Sequence, residues 1–179
     1  MSGHSHFSSI KHKKAIEDKK RGKIFSKISK MIIMAVKEKG KDPETNIQLR
    51  GAIEKAKEFN MPKDNIERAI KRGAGELGGE KLEEFVYEAY GPNGMALIIE
   101  GITDNKNRTL SEIKKILGQH NGKLADTGSV KYLFEKKGAE WSPKYPLQIS
   151  DEKNKQQLEK LFEALDENDD VNEIYSNLK

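Results

Sequence analysis

FVYEAYGPNGMALIIEGI, residues 85–102, is where the chain changes its hydrophobic period. Residues 85–90 and 95–102 are short strand-forming runs, and Gly91-Pro92-Asn93-Gly94 between them is a strong turn signal. The segment reads as an antiparallel hairpin. The stretch upstream has helical spacing, and the stretch downstream mixes helix with strand. The expected fold class is therefore α+β, with helices layered on a sheet.

Upstream, Ile24, Phe25, Ile28, Met31, Ile32, Ala35 and Val36 form one wide apolar stripe over 22–38. Lys37 and Lys39 end it where the helix dipole favours cations, and Gly40 is a natural stop. Asp42-Pro43-Glu44 starts a second helix, in which Leu49, Ala52, Ile53 and Ala56 follow the i, i+3, i+4, i+7 rule. A third begins near Pro62, with Asp64 in its first turn, Lys71 and Arg72 in its last, and Ile66, Ala69 and Ile70 facing inward. Three amphipathic helices with short connections predict a small bundle.

Downstream, the pattern predicts a helix over 107–119 and a third strand over 130–134. A fourth strand is expected over 147–149 and a last one over 171–175, with a helix between them capped by Ser150 and carrying Leu158, Leu161, Phe162 and Leu165. The organisation is then a basic arm plus helical bundle (1–72), a Gly-rich linker GAGELGGE (73–80), and an α/β sandwich domain with a mostly antiparallel, ferredoxin-like sheet (81–179).

Charge is spread unevenly along the 179 residues. Residues 1–80 carry 19 basic and 11 acidic side chains, whereas residues 151–179 carry 4 and 9. The first thirty residues alone hold nine Lys or Arg against Glu17 and Asp18. An arm this cationic and this poor in apolar side chains suits a polyanion, and nucleic acid is the commonest one in a cell. Lys11, Lys13, Lys14, Lys19, Lys20, Arg21, Lys23 and Lys27 are the candidate phosphate contacts, and His4, His6, Phe7 and His12 the candidates for closer contacts to bases. Phe7 can stack on a base or tuck against the bundle, and both readings stay open.

Other patterns carry less. Gly73-Ala74-Gly75-Glu76-Leu77-Gly78 matches G-x-G-x-x-G, but it follows a helix and precedes a strand, and Glu76 and Glu80 repel phosphate, so it reads as a linker rather than a dinucleotide site. His4, His6 and His12 lack zinc spacing and thiolate partners. Thr109 and Glu112 fit a capping box, and the acidic run 166–170 lacks a calcium-loop pattern and reads as a solvated helix end. No catalytic triad, Walker loop or metalloprotease helix is present, so no enzyme, cofactor or small-molecule substrate is expected. The chain has no Cys, no signal-peptide core and no apolar run near the roughly 20 residues of a membrane span, from which a soluble, cytoplasmic protein is expected.

Several longer motifs resemble one family. The opening residues 2–7, with Ile10-Lys11-His12-Lys13-Lys14, resemble its G-H-S-K-W…I-K-H-K-K start. Residues 21–27 (RGKIFSK), 60–66 (NMPKDNI), 90–94 (YGPNG), 103–109 (TDNKNRT) and the ending 164–177 are similar as well. The family is YebC/PmpR, which includes the mitochondrial translational activator of cytochrome c oxidase subunit I. His6 and Phe7 stand where the family usually has Lys and Trp, and most of a third domain is missing near 138–140. The resemblance implies a nucleic-acid-associated regulator. Bacterial members are commonly labelled transcriptional regulators that bind DNA, and other members act on translation with the ribosome. The favoured expectation is a ribosome-associated translation factor that binds rRNA through the arm. A DNA-binding transcriptional regulator is the alternative, ranked second because no recognition helix stands out.

Overall fold

A computed structural model describes residues 18–79 and 81–179. They form five helices, a four-stranded antiparallel sheet and a two-stranded hairpin, which is the α+β class expected. Two compact units divide the described residues, one comprising residues 18–83 and 102–105, the other residues 84–101 and 106–179.

The helical unit contains α1 (Asp18–Lys39), α2 (Ile47–Glu58) and α3 (Lys63–Gly73). Its core is the predicted stripe set: Ile28, Ile32, Ala35 and Val36 of α1 meet Leu49, Ala52 and Ala56 of α2 and Ile66 and Ala69 of α3. Ile32 and Leu49 are fully buried, and each such side chain contributes roughly 1.5–3 kcal/mol. Gly73 is not part of a linker. It closes α3 so tightly against α1 that a β-carbon there would lie 2.7 Å from the Val36 β-carbon.

The second helix starts later than Asp42. Residues 42–45 make a turn in which Thr45 and Asn46 N–H donate to the Asp42 carbonyl. The cap is Asn46, fully buried. Its Nδ2 donates to the Ala35 and Gly40 carbonyls, each at 2.8 Å, and its Oδ1 accepts from Leu49 N–H at 3.1 Å. One amide thus ties the end of α1 to the start of α2, which outweighs the weaker start signal at Asp42-Pro43.

In the other unit the sheet order is β3-β1-β2-β6, formed by β1 (Glu83–Tyr90), β2 (Ala96–Thr103), β3 (Lys123–Leu124) and β6 (Val171–Ser176). β3 runs antiparallel to β1 and β6 antiparallel to β2, with Ile98 opposite Tyr175 and a register shift at Glu100/Gly101. At that shift a side chain on Gly101 would collide with the Asp170 carbonyl and the Phe85 ring. The β1–β2 turn is a 3₁₀ turn (Pro92–Gly94) with Asn93 and Gly94 both at positive φ. Helices α4 (Lys106–Gln119) and α5 (Glu152–Asp166) cover one sheet face, where Ile113, Leu117, Leu158, Leu161 and Leu165 meet Phe85, Leu97 and Ile99. Ala96, Ile98 and Tyr175 on the other face pack with Val130 and Phe134.

Three further expectations are corrected. Residues 130–134 are not a strand. They turn through a 3₁₀ helix (Lys131–Leu133), because the Glu88 carboxylate captures their N–H groups, and only then enter β4 (Phe134–Lys137), which pairs with β5 (Glu140–Pro143) around a turn holding Gly138 at φ 65°. Residues 147–149 form only one isolated parallel bridge, Leu147 to Leu178. The cap of α5 is Asp151, whose carboxylate accepts from Lys153 N–H, and not Ser150.

Candidate nucleic-acid interface

Four cations of α1 share one face. Lys20, Lys23, Lys27 and Lys30 are spaced i, i+3, i+7, i+10, which at 3.6 residues per turn keeps them in a row about 15 Å long. Lys20 is exposed and the other three are half-buried, while the row's opposite side carries Ile28 and Ile32 into the core. Arg21 lies roughly 140° round the helix from the middle of this row. Lys30, absent from the candidate set, extends the row by one turn, and the same periodicity that identified the helix would have found it. Lys19 is in α1. His4, His6, Phe7, Lys11, His12, Lys13 and Lys14 lie outside the described residues.

The same unit holds a cleft of about 310 Å³ lined by Ile33, Leu77 and Leu82, by the cations Lys37 and Arg72, and by the Gly78–Gly79 backbone. Gly75 and Gly78 beside it have φ of 80° and 72°, so the loop is shaped by turn geometry rather than by a strand-to-helix phosphate cradle.

Two carboxylates of the α+β unit, Glu88 and Asp170, are buried and used internally. Glu88 is 4% exposed, and its Oε1 accepts from Gly128 N–H at 2.6 Å while its Oε2 accepts from Val130 N–H at 2.7 Å and Lys131 N–H at 2.8 Å. Burial alone would raise its pKa. The three N–H donors and the Lys131 charge outweigh that and hold it below the usual glutamate range.

Asp170 is likewise buried rather than a solvated helix end. Its Oδ2 accepts from Thr109 Oγ1 and from Arg108 Nη2, both at 2.7 Å. Thr109 therefore sits inside α4 and donates across to Asp170 instead of capping the helix, while Glu112 accepts from Asn168 Nδ2 at 2.8 Å. These two carboxylates escaped the sequence reading because their partners are some forty and sixty residues away.

Among the described residues no group of three His, Cys, Asp or Glu could hold a metal ion, and no helix is long and apolar enough to cross a membrane. Tyr175 has its pKa raised, first by burial and then by Glu173, Glu100 and Glu140, and its hydroxyl donates to the Ala139 carbonyl at 3.4 Å.

A three-helix unit followed by an antiparallel α+β unit, in which Glu88 and Asp170 are buried in structural roles, defines the class as a two-unit α+β protein with a lysine-lined helix. Comparison with known proteins makes this particular. The family model described as the TACO1/YebC protein N-terminal domain matches residues 5–76, and that of the TACO1/YebC second and third domain matches residues 82–139 and 139–178. The chain belongs to the TACO1/YebC family. A "probable transcriptional regulatory protein" of Halothermothrix orenii is 59% identical over 138 residues, which are 77% of this chain and 54% of that protein. One of the same description from Dictyoglomus turgidum is 49% identical over 174 residues, 97% of this chain and 70% of that one. The chain thus spans about half the length of the first of these relatives. The crystal structure of a conserved hypothetical protein, Aq1575 from Aquifex aeolicus, matches with a TM-score of 0.86 at 37% identity, covering 98% of this chain and 97% of that chain.

Proposed function

We propose that this chain is a nucleic-acid-binding regulator of gene expression that works in the cytoplasm as a ribosome-associated translation factor. In this reading it holds rRNA through its basic N-terminal arm and the lysine row of α1. The observation that carries the proposal is that row. Lys20, Lys23, Lys27 and Lys30 continue the charge of residues 11–14 along a rigid, well-packed helix. A line of ammonium groups of this length matches a sugar–phosphate chain, whose counterions it would release. No step of this role requires catalysis.

The test is cosedimentation with ribosomes across a salt series. Replacing Lys20, Lys23 and Lys27 with Gln should weaken retention and lower the salt slope by up to about three phosphate equivalents. An unchanged slope removes α1 from the interface, and absence of cosedimentation at low salt removes the ribosome. A second reading, a DNA-binding transcriptional regulator, is supported by the descriptions of the relatives from Halothermothrix orenii and Dictyoglomus turgidum. A sequence-specific DNA footprint that survives moderate salt would favour it.

A further inference from the structure

Two tyrosines of the α+β unit are exposed where the fold gives their rings little to pack against. Tyr132 is 63% and Tyr145 67% exposed. Both lie at the root of the β4–β5 hairpin. The ladder places Phe134 opposite Pro143, and one step beyond, Lys144 N–H donates to the Leu133 carbonyl at 2.9 Å. Tyr132, in the 3₁₀ turn before β4, and Tyr145, after the end of β5, are the residues immediately outside that bonded pair.

The backbone beside each ring is tied on one side by the Lys144–Leu133 hydrogen bond. The Glu88 carboxylate grips the N–H groups of Gly128, Val130 and Lys131, so the turn leading into Tyr132 is anchored to β1. Lys131 precedes one ring and exposed Lys144 precedes the other. The carboxylates nearby are otherwise engaged or lie towards the hairpin tip: Glu88 with these N–H groups, Glu100 with the Trp141 indole N–H at 2.7 Å, Glu135 with Lys137 at 3.4 Å, and Glu140 at the tip itself.

We propose that Tyr132 and Tyr145, flanked by Lys131 and Lys144, form a stacking platform for the unpaired bases of a single-stranded nucleic acid. This is a second contact, made by residues other than the arm and the α1 row. Exposed flat rings accept base faces without regard to sequence, and adjacent ammonium groups take the phosphates between those bases. A duplex keeps its bases stacked on each other and offers such rings nothing. The proposal rests on the nucleic-acid reading above and narrows its ligand to an unpaired strand.

The test is fluorescence anisotropy of a short labelled oligouridine with the full chain at low and moderate salt. The double variant Tyr132→Ala/Tyr145→Ala should lose roughly tenfold in affinity or more, with little change in salt slope, and Tyr132→Phe/Tyr145→Phe should bind like the parent. The Lys20/Lys23/Lys27→Gln variant should lower the salt slope and preserve the contrast between Ala and Phe. Emission from Trp141, the single tryptophan, reports that the hairpin is folded in each variant. Unchanged binding by the Ala variant overturns the platform while the α1 interface stands. Equal loss in the Phe variant overturns stacking. If the parent binds neither oligouridine, structured RNA nor DNA, the platform and the functional reading fall together.

Discussion

The helical unit and the α+β unit each bury polar side chains to fix their connections, but they choose different chemistry. The helical unit uses the Asn46 amide, neutral at every pH, to join α1 to α2. The α+β unit uses carboxylates, Glu88 for the loop before β4 and Asp170 for α4. Two negative charges, those of Glu88 and Asp170, are thereby drawn into the framework of the α+β unit. Residues 151–179 look strongly acidic as a string, yet one of their carboxylates, Asp170, is 3% exposed and already matched by Arg108.

The contrast can be broken by deletion. Glu88→Ala leaves three backbone N–H groups without their acceptor, and a buried donor so treated costs about 1–3 kcal/mol. Partial access of water to Gly128 and Lys131 brings the expected loss to about 3 kcal/mol in urea unfolding followed by Trp141 emission. A loss well under about 1 kcal/mol would show that the loop rebonds to solvent at no cost.

Asn46→Ala should cost less, about 2 kcal/mol, because it removes one cap and frees two carbonyls that lie at helix ends. Helical circular dichroism during unfolding is the measurement. Stability unchanged within error would mean that the α1–α2 junction is held by packing alone.

The smallest effect sharpens the contrast through pH. The folded-state pKa of Glu88 lies below its unfolded value. Its stabilisation is therefore complete above the ordinary glutamate range and is lost as pH falls through the folded value. Thermal stability of the parent should decline on acidification below about pH 4.3, and Glu88→Gln should show a shallower decline from a lower starting point. Parallel pH profiles for the two proteins would assign acid sensitivity to other carboxylates.

Much of this architecture is legible in the sequence wherever one face of a regular element is buried. The stripes Ile28–Ile32–Ala35–Val36 and Leu158–Leu161–Phe162–Leu165 are core as spaced, and the 85–102 hairpin forms where its turn residues place it. Legibility fails where the element is too short or too exposed to show a period. β3 has two residues, and β4 reads Phe-Glu-Lys-Lys, with one buried side chain among three exposed charged ones. It fails again where a long-range hydrogen bond overrides local pattern, as Glu88 does for 130–133 and Asn46 for 42–46. For the candidate interface, the α1 lysines follow from the charge count plus helical spacing. Tyr132 and Tyr145 do not, because only the fold shows that their rings are left outside.

The tight reversal at Gly138 has an evolutionary corollary. The two matches to the second-and-third-domain model meet at residue 139, beside the two-residue turn that joins Lys137 to its partner Glu140. Facing strand residues stand only about 5 Å apart. A whole module whose own termini lie side by side can be spliced in or excised there with no strain on β4 or β5, as tolerated domain insertions generally require. In this chain the hairpin closes on itself without such a module between its strands.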